Sequence, residues 1–467
     1  MPAPVPQEPK PQAPPRLGPR PLALHLATTV TTWLSARAAL PLWRSGSLPL
    51  NPALEAASTE LRQALEGVAA ESVEAALERA VNGRLERYVT GLERYRHHSY
   101  RRNLVDPPSI WREGTTSLRD YGASAPRARS RSAPPGAPVV LFVPSLVNRG
   151  YILDLAEGSS FLRWLAQAGF RPLLVDWGRP GAEERRFDLG DYIAGRLERA
   201  LDAAVELAPG PVGLVGYCMG GNLALALAGR REKDVGALAL LATPWDFHAD
   251  RPELARAIAA GSGPLLAVAD RLGELSTDVL QMLFFLLDPY LGARKFLRFA
   301  EFEPGSERER AFVALEDWLN DGVPLAAKVA RECLVGWYGE NRPATGEWRI
   351  KGEAVQPKKL RRPTLVIVPA QDRIVPPPSA DALVGLIPGA ERLQPALGHI
   401  GMMASAGAER GAWRPLAAWL ARSLPAPTRR KASASHAPPS LPSQVQQTYK
   451  NPGREPSVPS QARRNRE

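Results

Sequence analysis

Residues 212–228 read VGLVGYCMGGNLALALA: a short apolar run, then Gly216-Tyr217-Cys218-Met219-Gly220, then a second apolar run with helical spacing. The glycines fall two before and two after a cysteine, the spacing of the nucleophile-elbow pattern G-x-S-x-G with sulfur in place of oxygen. A turn this tight presses backbone against backbone, so those positions tolerate little or no side chain. A nucleophile there stands at a helix N-terminus, where unpaired N–H groups and the helix dipole favour a thiolate. The N–H of Met219 is placed to receive an oxyanion, and a second donor is expected from the loop after the first of the buried strands. The competing reading is a buried structural cysteine beside a chance glycine pattern.

A thiol nucleophile needs a base, and the base needs a group to orient it. In the chain order that accompanies this elbow the acid follows the nucleophile and the histidine comes last. Asp372, in VPAQDRIVP, directly follows an apolar strand, and His399, in ALGHIGMM, lies in a loop after the last candidate strand. Of the six histidines, His399 alone falls between Asp372 and the proline-rich tail. The rival base is His248 in TPWDFHAD, for which a loop role supporting neighbouring helices is the favoured alternative; for Asp372 the alternative is a turn or N-cap aspartate. Cysteine attacks thioesters readily, and its acyl adduct is itself a thioester that can pass the acyl group to an alcohol or thiol. Acyl transfer is therefore expected, with hydrolysis still open. The second cysteine, Cys333 in ARECLVGWY, is assigned to packing with no chemical role.

These residues must be carried by elements that can hold them. Runs at 139–144, 171–177, 212–217, 236–243, 364–370 and 391–396 are short, apolar and bounded by turn residues. Alternating with helical patterns, they predict a mostly parallel, doubly wound α/β sheet. The gap from about 245 to 362 is too long for one crossover and reads as an inserted helical cap, centred on 249–345, over the carboxyl ends of the strands. Within it, MLFFLLDPYL at 282–291 is either cap core or an exposed apolar surface. Asn51-Pro52 opens a small helical unit that runs to about 98, with Gly67 and Gly83 as expected interruptions.

At 467 residues and 44% hydrophobic composition, the chain can bury a sizeable core. Two cysteines in different segments cannot build a disulfide framework and suit a reducing compartment. The proline-rich start is unlike a secretory signal, and the apolar run after it is broken by His25 and Arg37 before it reaches the ~20 residues a membrane span requires. A cytoplasmic location is expected. The net charge of +11 gathers in ends and linkers, such as RARSRS at 127–132 and RRK at 429–431, with no nucleic-acid module beside it, so no specific nucleic-acid binding is expected. The expected organisation is a disordered start over 1–20, a helical region and basic linker over 21–135, a catalytic domain over 136–424, and a disordered basic tail over 425–467.

The stretch VPSLVNRGYILDLAEGSSFLRWLAQAGFRPLLVDWGRP, followed by LGDYIAGRLERAL, VGYCMGG, LLATPWDFHA, DRIVPPPSA and GHIGMM, resembles the polyhydroxyalkanoate synthases, most closely the short class III catalytic subunit. The likeness runs from about Trp111 to Leu424. It implies an α/β-hydrolase fold in which Cys218 is acylated by an (R)-3-hydroxyacyl-coenzyme A, His399 deprotonates the thiol, and Asp372 assists His399 and the attacking hydroxyl. Val147 in SLVNRG would match the second oxyanion donor. The resemblance further implies a homodimer at a polyester granule surface, an accessory synthase subunit, and no metal or bound cofactor, coenzyme A arriving on the substrate. Two other classes stay open: a polyester depolymerase or thioesterase using the same three residues, and a granule-associated protein without catalysis.

Overall fold

The computed structural model describes residues 14–123, 133–134 and 136–424. Among these, eight strands form the central sheet: β1 (Ser109–Glu113), β2 (Thr116–Asp120), β3 (Val139–Val143), β4 (Arg171–Asp176), β5 (Val212–Tyr217), β6 (Val235–Leu241), β7 (Thr364–Ile367) and β8 (Glu391–Leu393). Their spatial order is β1-β2-β4-β3-β5-β6-β7-β8. The six strands from β3 onward pair in parallel, and the β1–β2 hairpin closes one edge antiparallel to β4.

Alternate residues of each strand feed opposite faces, as the two-residue period of a strand requires. Leu141 and Val143 join the core beneath the helices α5 (Glu198–Leu207) and α6 (Met219–Arg230), whereas Val140 and Phe142 join the one beneath α4 (Phe161–Gln167) and α12 (Arg414–Ser423). Both faces being covered explains why β3, VVLFV, is apolar throughout. Helix α6 is buried from Met219 to Ala228, so its sequence is apolar all round and not striped.

The segment between β6 and β7 holds the helices α7 (Pro252–Gly261), α8 (Gly263–Leu272), α9 (Thr277–Phe285), α10 (Leu291–Ala300) and α11 (Glu307–Asn320), followed by shorter helical turns. Ahead of the sheet lie α1 (Leu22–Arg44), α2 (Pro52–Ala64) and α3 (Ala70–Arg96). Asn51 caps α2 by accepting from the Ala53 N–H at 3.0 Å. Tyr88, Leu92 and Tyr95 of α3 pack on Phe296 and Phe299 of α10, which binds the N-terminal helices to the segment inserted between β6 and β7. Among the described residues no helix is long and apolar enough to cross a membrane.

Four expectations need correction. The sheet begins at Ser109 and not after 136, because β1 and β2, too short and too mixed in polarity to stand out, gain their place by pairing with β4. Gly83 does not interrupt α3; only Gly67, with φ +83°, breaks the chain. The last strand stops at Leu393. Residues 16–20 are tied down: Gly18 and Pro19 are buried, and Arg16 bonds Asp317 through Nε at 2.6 Å and Nη2 at 3.1 Å. Residues 1–13, the linker run at 127–132 and the tail after 424, on which the remaining expectations of disorder fall, lie outside the described residues.

Candidate active site

Cys218 follows β5 directly and precedes α6, and its backbone has φ 56° and ψ −130°. Few non-glycine residues hold a positive φ, and here the surroundings impose it. The Cys218 N–H donates to the Leu241 carbonyl of β6 at 2.8 Å, while the Gly221 N–H donates to the Cys218 carbonyl at 2.8 Å. A Cβ at Gly216 would collide with the backbone of Gly220 and Gly221, and one at Gly220 with the backbone of Val143 and Pro144. The two glycines therefore let the turn fold onto itself and onto the end of β3.

The structure brings Cys218, His399 and Asp372 together. His399 Nδ1 lies 2.7 Å from Asp372 Oδ2, both side chains being buried. Cys218 and His399 line the same cavity wall, and with Nδ1 taken by Asp372 the nitrogen left for the sulfur is Nε2. Asp372 is fixed in turn, its Oδ1 accepting from the Ile374 and Val375 N–H groups at 2.9 Å each. Tyr217 closes the back of the ring, its hydroxyl donating to the His399 carbonyl at 3.2 Å. Burial by itself would lower the His399 pKa, but the neighbouring Cys218 sulfur, the hydrogen bond to Asp372 and the Asp372 charge outweigh it and raise the value to about 10. A charged imidazolium beside the sulfur is the partner that a thiolate nucleophile needs.

Met219 is the first residue of α6, so its N–H belongs to the helix turn that has no carbonyl partner four residues back. Val147 stands beside Cys218 in the loop after β3, but its N–H donates to Ser145 Oγ at 3.2 Å. The expected second oxyanion donor is thus engaged in this conformation by a hydroxyl that the sequence reading missed. A serine two residues ahead of a backbone N–H is the local signal that could have found it. His248 does not serve as a base here: its Nε2 is spent on the Tyr338 carbonyl at 2.8 Å, tying the loop after β6 to the inserted segment. Cys333 shares a cavity wall with Cys218, and burial pushes its thiol pKa far up.

The quoted motifs around the elbow turn out to position it. In Asp176-Trp177-Gly178, the indole N–H of Trp177 donates to the Pro144 carbonyl at 3.0 Å. The Val147 carbonyl accepts from Val323 N–H at 3.0 Å, Asn148 bridges to Gly322, and Arg149 pairs with Asp321 at 3.1 Å. The loop after β3 is thereby stitched to the inserted segment. Two cavities open at Cys218. One, of about 390 Å³, includes Met219 and Asp372 in its wall. The other, of about 260 Å³, includes Tyr217 and His399.

Residues 138–405 match the family described as alpha/beta hydrolase fold. The chain is 29% identical over 297 residues to the poly(3-hydroxyalkanoate) polymerase subunit PhaC of Allochromatium vinosum, covering 62% of this chain and 83% of that protein. With the subunit of the same name from a Synechocystis species it shares 30% identity, covering 60% of this chain and 77% of that one. With that of Haloferax mediterranei it shares 29%, and the match spans only 58% of that longer protein. A Cys-His-Asp arrangement at the end of a parallel sheet, the family match over 138–405 and these relatives converge: the chain belongs to the α/β-hydrolase fold family and, within it, to the poly(3-hydroxyalkanoate) polymerase subunits.

Proposed function

We propose that the chain is an acyltransferase that polymerises (R)-3-hydroxyacyl groups, delivered as coenzyme A thioesters, into a polyester and releases coenzyme A. The observation that carries this reading is His399, held by Asp372, lining one cavity wall with Cys218 at the tight turn between β5 and α6. Cys218 sulfur attacks the thioester carbonyl, and the oxyanion forms towards the Met219 N–H. The carbon–sulfur bond to coenzyme A then breaks, and the leaving thiolate takes the proton from His399. In the second half His399 accepts the proton of a 3-hydroxyl group, whose oxygen attacks the acyl-cysteine and frees the sulfur. Asp372, through Nδ1, keeps the imidazole in the tautomer that this cycle requires.

The reading needs no bound cofactor, since coenzyme A is part of the substrate. It places the enzyme in the cytoplasm at a polyester granule surface, as a homodimer with an accessory subunit. Half-exposed apolar groups where α9 passes into α10, Leu286 and Tyr290 on the turn and Leu291 at the start of α10, support contact with such an apolar surface. Incubation with 3-hydroxybutyryl-coenzyme A is the direct test. Thiol release with insoluble polyester supports the proposal; thiol release with free acid identifies a thioesterase instead, soluble acid from preformed granules a depolymerase, and no turnover a non-catalytic protein. Cys218→Ala is expected to lower turnover by on the order of 10⁴-fold or more.

A further inference from the structure

The two cavities at Cys218 differ in which part of the machinery they reach. The larger contacts Met219 and Asp372 but continues between α7 and α9, past Ile258 and Leu283. The smaller contacts His399 and Tyr217, passes Ile152 and Leu319, and ends against Pro19, Arg20 and His25. Its far wall is thus made by residues about two hundred positions ahead of the nucleophile, outside the hydrolase-family match.

Proton bookkeeping assigns the two sides. In acyl transfer through a cysteine, the departing thiol and the arriving hydroxyl exchange their protons with one imidazole, so both must occupy the side on which that imidazole lies. The acyl carbonyl oxygen turns towards the Met219 N–H, and the acyl chain extends on that side. We propose that the His399-side cavity is where thiol and hydroxyl are exchanged, and that residues 16–25 form a strap whose seating governs passage of the coenzyme A arm. The assignment rests on the acyl-transfer reading above.

The strap is held at both ends by side chains of the helices it crosses. Arg16 forms a two-pronged pair with Asp317 of α11 and donates through Nη1 to the Tyr95 carbonyl at 3.2 Å and through Nη2 to that of Tyr100. Arg96 Nε returns a bond to the Arg16 carbonyl at 3.0 Å. The Arg20 N–H donates to Asn320 Oδ1 at 2.9 Å, and its Nε to Asp278 of α9 at 2.8 Å. His25 sets its ring edge-on to Phe285 with centroids 5.0 Å apart. Burial, helped by Lys295, pulls the His25 pKa down to about 4, so at neutral pH this part of the wall is an uncharged ring. Freeing the strap would take away one side of the passage without touching Cys218, His399 or Asp372.

The test uses the full chain and the 2-pyridyl mixed disulfide of coenzyme A. Cys218 sulfur attacks the coenzyme A sulfur, the disulfide bond breaks, and pyridine-2-thione leaves; its absorbance gives the rate, and peptide mass assigns the adduct to Cys218. Leu319→Trp, which fills the His399-side cavity, is expected to slow capture about tenfold or more, whereas Ile258→Trp, in the other cavity, changes it less than about twofold. Arg16→Ala, and independently Arg20→Ala in case the first does not fold, is expected to speed capture about fivefold. The proposal is overturned if Ile258→Trp slows capture as much as Leu319→Trp, or if folded strap variants capture at the unaltered rate. Failure of the acyl-transfer reading looks different: the unaltered chain would capture the disulfide yet release no thiol from 3-hydroxybutyryl-coenzyme A.

Discussion

Asp372 divides its carboxylate between two tasks, one oxygen locked by two backbone N–H groups and the other presented to His399. Asp372→Asn keeps the shape but offers the ring an amide, so turnover of the acyl thioester is expected to fall by about 10²–10⁴-fold with little change in KM. The raised His399 pKa has a definite consequence for stability. A group whose pKa is higher folded than unfolded stabilises fully below the unfolded value, here 6.5, and loses that contribution as pH climbs through the folded value of about 10. Thermal unfolding of the parent and of His399→Gln should therefore show a gap in Tm that narrows between those limits; a gap that widens with pH contradicts the assignment. Ser145 offers a third check. If its hydroxyl merely occupies the Val147 N–H, Ser145→Ala releases that donor and leaves kcat unchanged or higher. A kcat loss of about tenfold or more would instead make the hydroxyl a participant in the reaction.

The elbow shows what an element can demand of its sequence. Helix α6 must begin while its first turn lies against the end of β3, and Gly220 supplies the missing volume. Gly220→Ala would force a methyl into the Val143 and Pro144 backbone, which cannot yield as a flexible side chain could. A loss of about 2 kcal/mol or more is expected by denaturant unfolding, together with loss of turnover. Helices α3 and α10 depend instead on aromatic packing: Phe296 is fully buried against Tyr88, Tyr95 and Phe312. Such a contact was not legible from α3 alone, because an amphipathic helix declares its apolar stripe but not the partner that covers it.

Across the whole molecule, one buried carboxylate joins parts that are distant in sequence. Asp154, fully buried in the short strand Asp154–Ala156 between β3 and α4, receives Arg163 at 2.7 Å, Arg102 at 3.0 Å and the Tyr121 hydroxyl at 3.2 Å. It gathers the segment leading out of α3, the β2 edge and α4 around one charge. Replacing it by alanine strands two guanidinium groups in a partly buried site, and a destabilisation of about 3 kcal/mol or more is expected by calorimetry. The strap repeats this architecture on the outside, where Arg16 reaches a carboxylate 301 positions away.

Cys218 between its glycines, then an acid after a strand, then a late histidine were readable in the chain because elbow geometry is local and the order of the three residues follows the order of the strands. The parallel sheet was readable for the same reason, each buried strand being an uninterrupted apolar run. Tertiary structure alone decided the rest: the β1–β2 edge, the Ser145 hydroxyl on the Val147 N–H, and the wall that residues 16–25 contribute to one side of the site. Each of these depends on which surfaces meet after the chain has closed over itself, and pairings between segments hundreds of residues apart leave no periodicity or spacing in the sequence to mark them.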